Sequence, residues 1–324
     1  MKEILFVPPF RSADAERIGE NMPCLVRWDG DPSAEVLSSA DAMMGQPKFR
    51  WMSGAPRLKW VQTTSAGVDH YFRCKDRLRT DVVFTNLSGA FGQAISEYVL
   101  TMCLMLFKSM HLYRDHQSAG LWRDEGAQDS PAGKDLLILG AGDIGTAVAS
   151  LLAPFGCRIT GMRRSAGDLP SPFQKTIRPG ELDGSLAAAD IVVCALPYTS
   201  ETEHMLDGRR LSLLKRDAIL INVGRGAVID QDALAELLLS GRIRGAALDV
   251  FEKEPLPEGH PLWKCSNAII TPHITGGTFG HLPATEEKTF EICRENLRRF
   301  IAGEPLLNVV DPGTGYRMKE RRYR

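Results

Sequence analysis

KDLLILGAGDIGTAVASLLAPFGCRITGMRRS, running from Lys134 to Ser165, decides the fold. Leu136 to Leu139 form an unbroken apolar run, the pattern of a strand covered on both faces in a parallel sheet. Gly140, Ala141, Gly142, Asp143, Ile144 and Gly145 follow at once. Gly140 suits the tight turn out of the strand, Gly142 lets a pyrophosphate reach the backbone, and Gly145 lets the next helix pack closely. A helix expected over Asp143 to Pro154 points its N-terminal amides and positive dipole end at the phosphates. Gly156 ends it, and Arg158 to Met162 begin the next strand. A lone G-x-G-x-x-G is a weak signal, but between a strand and a helix, with a second strand following, it predicts dinucleotide binding.

The end of that second strand bears on which dinucleotide. An acidic side chain about twenty residues past the first glycine would hold a ribose 2′-hydroxyl. Here stand Arg163, Arg164 and Ser165. Two guanidiniums and a hydroxyl suit a 2′-phosphate dianion, so NADP is expected, with NAD as the alternative. The bland reading of the same residues is a solvated pair of surface arginines.

The 324 residues suffice for two domains. With 39 basic and 40 acidic residues the formal charge is −1, which gives no reason to expect a nucleic-acid or membrane surface. The basic tail, Arg317 to Arg324, reads as a solvated terminus. Cysteines 24, 74, 103, 157, 194, 265 and 293 show no C-x-x-C pair or metal-ligand spacing and read as small buried hydrophobes in a reducing compartment. MKEILFVPPF is too short an apolar run for a signal peptide and no stretch has membrane-spanning length, so a soluble cytoplasmic protein is expected.

Apolar runs at Ile4–Val7, Leu25–Trp28, Leu58–Gln62 and Val82–Asn86 alternate with helical segments, which predicts a smaller α/β unit with its own parallel sheet. Within it, Ser65-Ala66-Gly67-Val68 forms a glycine-containing turn whose amides could bind a carboxylate, although an ordinary βα loop reads the same way. Ile95 to Ser118 reads as one long, mostly apolar helix, covering the sheet, a partner subunit or both. Past Ser165, strands are expected at Ala189–Leu196, Ala218–Val223, Ala246–Val250 and Ala268–Thr271, giving about six parallel strands from Leu136 onward. Leu211–Leu214 belong to a short helix, Asp230–Leu239 to another capped by Asp230, and Glu286–Ala302 to an amphipathic one.

In open α/β sheets, functional groups project from the carboxyl ends of the strands. Arg225 stands there between Gly224 and Gly226, Asp249 ends the next strand with Glu252 and Glu254 after it, and Thr271-Pro272-His273 end the last. An arginine, a carboxylate and a histidine beside a nicotinamide suit hydride transfer to a 2-oxo acid. Arg225 would grip the substrate carboxylate and polarise the ketone. His273 would protonate the carbonyl oxygen, and Glu254 would favour the charged imidazole and fix the ring. Taken singly, each is more ordinary: a surface arginine, a loop acid, a structural histidine. Histidines 70, 111, 116, 204, 260 and 281 read as structural or surface groups, and no pair has metal-site spacing.

The ordered pieces SAGVDH (Ser65–His70), LGAGDIG (Leu139–Gly145), ALPYTSET (Ala195–Thr202), INVGRGAVID (Ile221–Asp230), ALDVFEKEPLP (Ala247–Pro257) and TPHITGG (Thr271–Gly277) together resemble the D-isomer-specific 2-hydroxyacid dehydrogenase family, in its glyoxylate/hydroxypyruvate reductase-like branch. The resemblance implies two doubly wound parallel-sheet domains. A Rossmann cofactor domain, 99–284, would be inserted into a flavodoxin-like substrate domain, 1–98 and 285–324, with a homodimer formed through the helix 95–118. It also implies catalytic Arg225, Glu254 and His273 and a substrate-carboxylate loop at Ala66, Gly67 and Val68. Cofactor contacts would come from Gly140, Gly142, Asp143, Ile144, Gly145, Arg163, Arg164, Ser165, Leu196, Pro197, Val223, Gly224, Asp249, His273 and Gly276. Formate-using relatives carry glutamine where Glu254 stands, and the chain lacks room for the regulatory domain of many phosphoglycerate dehydrogenases. The run TFGHLPATEEK after Gly277 departs from the family's arginine-bearing helix start. Glyoxylate and hydroxypyruvate come first as substrates; bulkier 2-oxo acids stay open, with Trp51, Tyr71 and Leu282 as candidates for the side-chain pocket. Some family-like proteins act instead as dinucleotide-binding sensors or co-repressors, and turnover discriminates the two.

Overall fold

The computed structural model describes residues 1–72, 74, 76, 78–164, 167–277, 282–312 and 315–318. Ser165, the run 278–281 and the tail from 319 onward lie outside them. The chain divides into two compact units, Met1–Phe91 with Gly277–Arg324, and Gly92–Gly276. These boundaries fall a few residues before the expected 98/99 and 284/285. The first of them coincides with the start of the α5 helix, Gly92–Phe107, which packs along a helix of the second unit.

The first unit alternates β1 (Lys2–Phe6), α1 (Ser12–Gly19), β2 (Cys24–Trp28), α2 (Ala34–Ser39), β3 (Ala42–Gly45), α3 (Phe49–Ser53), β4 (Trp60–Thr63), α4 (Asp69–Phe72) and β5 (Val83–Thr85). Among the described residues its sheet is parallel with order β2-β1-β3-β4-β5, the flavodoxin order. β3 was not foreseen: its four residues, AMMG, are few and its two methionines favour helix over strand. Leu5, Met43, Val61 and Phe84 meet Trp51, Met52 and Tyr71 in the core on one face. The returning helix α11 (Pro283–Ala302), longer at its start than foreseen, is fastened by buried polar groups. Asn296 Nδ2 donates to Gln62 Oε1 at 2.8 Å and its Oδ1 accepts from the Leu307 amide at 2.7 Å. Thr85 donates to the same Gln62 oxygen and accepts from the Trp60 indole, so the network has its partners inside the unit.

The second unit opens with α5 and α6 (Met110–Ser118), in place of one helix over 95–118. Ser109 takes left-handed backbone angles (φ 53°) and breaks the run, so α5 buries a face while α6 has no buried residue. Then come β6 (Asp135–Leu139), α7 (Asp143–Leu152), β7 (Arg158–Met162), β8 (Lys175–Ile177), α8 (Leu182–Ala188), β9 (Ile191–Cys194), α9 (Gly208–Leu211), β10 (Ile219–Asn222), α10 (Gln231–Leu239), β11 (Gly245–Leu248) and β12 (Ala268–Ile270). Among the described residues these seven strands form one parallel sheet, β12-β11-β10-β9-β6-β7-β8. The expected six lacked β8, whose three residues carry no apolar run. α7 ends at Leu152 and passes into a single 3₁₀ turn over Ala153–Phe155, because Pro154 cannot continue the hydrogen-bond ladder. Asp230 caps α10 as foreseen, its side chain accepting from the Ala233 amide. Among the cysteines, 103, 157, 194, 265 and 293 are buried, whereas Cys24 is half-buried and Cys74 exposed. No helix among the described residues is long and apolar enough to cross a membrane.

Candidate active site

The turn after β6 is built by close backbone approach. Gly140 has φ +95°, and a Cβ there would stand 2.7 Å from the Ala195 carbonyl oxygen. A Cβ on Gly145 would collide with the carbonyl oxygen of Gly140, so α7 can lie on its own turn only with glycine there. In front of Gly142 there is open space. Gly142 is also the N-cap of α7 and has no side chain to accept the first-turn amides. Gly142 and Asp143 are exposed and Ile144 half-buried, so an uncapped helix N-terminus faces solvent, an arrangement that fits a pyrophosphate. Leu196 is buried and Pro197 half-buried, on the segment that meets Gly140.

Arg163 and Arg164 follow β7. The Arg163 amide bonds the Ile177 carbonyl at 3.2 Å, which keeps this residue on the sheet edge. Arg164 is largely exposed and pairs with Glu201 at 3.2 Å, a contact that a phosphate would have to displace.

Gly224, Arg225 and Gly226 follow β10 and Val223. A Cβ on Gly224 would strike the Leu196 carbonyl, and one on Gly226 would overlap the Phe251 backbone. Arg225 is therefore held at a half-buried position by main chain on both sides, and the Phe251 that Gly226 touches stands three residues before Glu254. Glu254 Oε1 accepts from the Phe251 amide at 3.0 Å, while its Oε2 accepts from His273 Nδ1 at 2.8 Å. The ring is thereby fixed through Nδ1. His273 takes left-handed angles (φ 54°), which a non-glycine residue adopts only where its surroundings enforce it. Asp249 enforces it: its carbonyl accepts the His273 amide at 2.9 Å, and its side chain accepts from Thr271, Ile274 and Thr275 on either side. Asp249 has no exposure, and its side-chain oxygens accept from this loop. Gly276, half-buried, closes the loop.

In the other unit, the carbonyls of the Ser65–Val68 turn are each bonded. Leu87 N reaches Ser65 O, Asn86 Nδ2 reaches Ala66 O, Ser65 Oγ reaches Gly67 O and Tyr71 N reaches Val68 O. What this turn can present to an anion is therefore amides. Trp51 and Tyr71 are core residues at 3% exposure, and Leu282 is the N-cap of α11, so the first two do not serve as open pocket walls within their unit. No group of metal-binding side chains occurs among the described residues.

The model of the D-isomer specific 2-hydroxyacid dehydrogenase NAD-binding domain matches residues 100–275. The chain belongs to this family. Members of the D-2-hydroxyacid dehydrogenases similar to it include glyoxylate/hydroxypyruvate reductase B of Pectobacterium carotovorum, 33% identical over 301 residues, covering 88% of this chain and 90% of the relative. A family structure from Aeromonas salmonicida superposes with a TM-score of 0.85 at 34% identity, covering 96% of this chain and 99% of that one. One from Xanthobacter autotrophicus, in complex with NADPH and MES, gives 0.80 at 31%, covering 97% and 99%. This chain is accordingly an NAD(P)-dependent oxidoreductase.

Sequence reasoning missed the residues that hold this dehydrogenase site in shape. Asn222, buried at the end of β10, accepts from Gly224 N with Oδ1 and donates from Nδ2 to Arg225 O, closing the arginine turn. Tyr98 of α5 lies 2.8 Å from Thr271 Oγ1; since that hydroxyl gives its hydrogen to Asp249, Tyr98 is the donor. Burial pushes the Tyr98 hydroxyl up to about 12, against the opposing bond to Thr271, and the Asp249 charge adds to it, so it keeps its proton. The signal available was weak: a polar residue closing a buried strand. His204, read as a structural or surface group, is an exposed residue that donates to Glu252 at 3.1 Å.

Proposed function

We propose that the protein reduces a small 2-oxo acid of the glyoxylate or hydroxypyruvate type to the D-2-hydroxy acid with NADPH. The observation that carries this reading is the His273–Glu254 pair, held at 2.8 Å by a histidine forced into left-handed backbone beside a buried aspartate. The uncapped N-terminus of α7 and the open face of Gly142 suit the pyrophosphate. Arg163 and Arg164 suit a 2′-phosphate. The Xanthobacter family structure binds NADPH, and the Pectobacterium relative is named as a glyoxylate/hydroxypyruvate reductase, which supports both cofactor and substrate class.

Gly140, Gly142 and the N-terminus of α7 would hold the nicotinamide dinucleotide, which would supply hydride for C2 of the substrate. Arg225 binds the substrate carboxylate and polarises the ketone, and the Ala66, Gly67 and Val68 amides of the first unit suit a carboxylate in their own right. His273 passes the Nε2 proton to the carbonyl oxygen, so C=O becomes CH–OH with one hydride and one proton gained. Glu254 balances the imidazolium before transfer and holds the ring afterwards.

The test is loss of reduced-nicotinamide absorbance with NADPH and NADH across a panel of 2-oxo acids, for the wild type and His273→Ala. The expected result is NADPH-preferring turnover of a small acid that falls about 10²–10⁴-fold in the variant. Preference for NADH or for a bulky acid would replace those parts of the reading. Tight NADPH binding with no turnover on any acid would favour a sensor.

We infer further that the chain forms a homodimer through the surface of α6 and the segment after it. Met110 (50% exposed), Leu121 (46%) and Trp122 (103%) stand exposed there, large apolar side chains of the kind an interface would cover. Sedimentation of the wild type beside Trp122→Ser checks it; a monomeric wild type would refute it.

A further inference from the structure

β8 pairs in parallel with β7, Ile177 opposite Met162, so Arg178 and Arg163 leave the same end of adjacent strands. Adjacent strands lie about 4.8 Å apart, which brings a side chain from one strand end within reach of the loop leaving the other. The Arg178 guanidinium uses that reach. Its Nη1 donates to the Arg163 carbonyl at 3.3 Å and its Nη2 to the Gly167 carbonyl at 3.0 Å. Both acceptors are neutral. The nearby Glu181 carboxylate is engaged with the Arg178 backbone amide at 2.9 Å, and among the described residues no carboxylate forms an ion pair with the guanidinium. The contrast with Arg164 is clear, since that side chain is largely exposed and already paired with Glu201. Arg178 is half-buried and anchored, with three of its five N–H donors beyond the two carbonyl bonds.

We propose that Arg178 is a specificity-determining residue for NADP, held by the Arg163 and Gly167 carbonyls and supplying to the 2′-phosphate a positive charge that no carboxylate among the described residues pairs with. In a doubly wound sheet the adenosine ribose lies at the end of the second strand of the fingerprint unit, here β7. A cation fixed at the end of the neighbouring strand attracts a phosphate there and gains nothing from a hydroxyl. This role rests on the NADP reading above.

The experiment is direct titration of the full chain with NADPH, NADH and 2′,5′-ADP, followed by ligand fluorescence or calorimetry, for the wild type, Arg178→Gln and Arg178→Lys. Arg178→Gln is expected to weaken NADPH and 2′,5′-ADP about tenfold or more while NADH changes less than about twofold. Arg178→Lys, which keeps the charge without the fork, is expected to retain part of the NADPH preference and serves where the glutamine variant does not fold. Equal losses for NADPH and NADH in either variant would show a purely structural fastening and overturn the proposal, as would no loss at all. A wild type that binds NADH as tightly as NADPH overturns the NADP reading itself, and this role with it. A wild type that prefers NADPH beside variants that keep the full preference overturns the role of Arg178 alone.

Discussion

Asp249 and Thr275 are joined twice: one carboxylate oxygen accepts the threonine amide at 3.1 Å and its hydroxyl at 2.6 Å. The other oxygen accepts Thr271 Oγ1 at 2.6 Å and the Ile274 amide at 2.9 Å. Four donors thus converge on one carboxylate buried behind His273. Asp249→Asn turns an amide NH₂ toward those donors and is expected to cost about 2–4 kcal/mol of stability. The histidine loop loosens with it, so kcat should drop about tenfold or more while dinucleotide affinity changes little. Denaturant unfolding and steady-state kinetics measure both; a variant with wild-type kcat would show that Asp249 does not hold the histidine.

Glu254 and His273 act as one unit if the 2.8 Å bond between them matters to the chemistry. Glu254→Gln alone should slow turnover about 10–100-fold, and adding it to His273→Ala should cost little more. Additive losses in the double variant would mean that the glutamate works independently of the ring.

Two glycines separate fold from ligand. Gly142→Ala places a methyl in open space on ordinary extended backbone (φ −91°), so stability should be unchanged while dinucleotide affinity falls about tenfold or more. Gly226→Ala drives a methyl into the Phe251 backbone and should cost about 3 kcal/mol or more. Thermal unfolding with and without dinucleotide distinguishes them. Equal thermal loss in both would contradict the distinction.

Stability should fall on the acid side. Bonds from Arg298 and Arg299 hold Glu295 at about 2, and Arg209 and Arg210 hold Asp183 at about 2. Both carboxyls sit lower in the folded chain than the usual value of about 4 in an unfolded one, so their contribution is complete above that range and is lost as pH falls from about 4.5 to 2. Because the pairs are exposed, added salt should shrink the effect. Unfolding midpoints across this pH range, for the wild type and Glu295→Gln, check it; an unaltered slope in the variant would rule Glu295 out.

What could be read in the chain alone followed contrast. β6 and α7 stood out because an apolar run ends abruptly in glycines, and Arg225, Glu254 and His273 because each follows an apolar strand. β3 and β8 escaped because four and three residues, with methionine or polar members, are too few to show a period. The break at Ser109 has no glycine or proline to announce it; a left-handed serine does the work. Trp51 and Tyr71 were candidate pocket residues by type, yet the first unit's core takes them. Thr275 and Arg178 act through partners distant in sequence, and only the packed chain reveals those bonds; Asn222 closes its own turn, where nothing in its residue type announced the role.

Gly140 against Ala195, Gly224 against Leu196 and Gly226 against Phe251 put main chain on main chain across successive loops of the second unit. Side chains can be retuned one at a time; touching backbones cannot. The rim of this sheet is therefore inherited as a block. A loop transplanted singly from a homologue of different length would collide with its neighbours, so exchange of catalytic properties between relatives requires moving the interlocked loops together. New preferences within this frame should arise by changing side chains that hang from the block, such as those at 164 or 178.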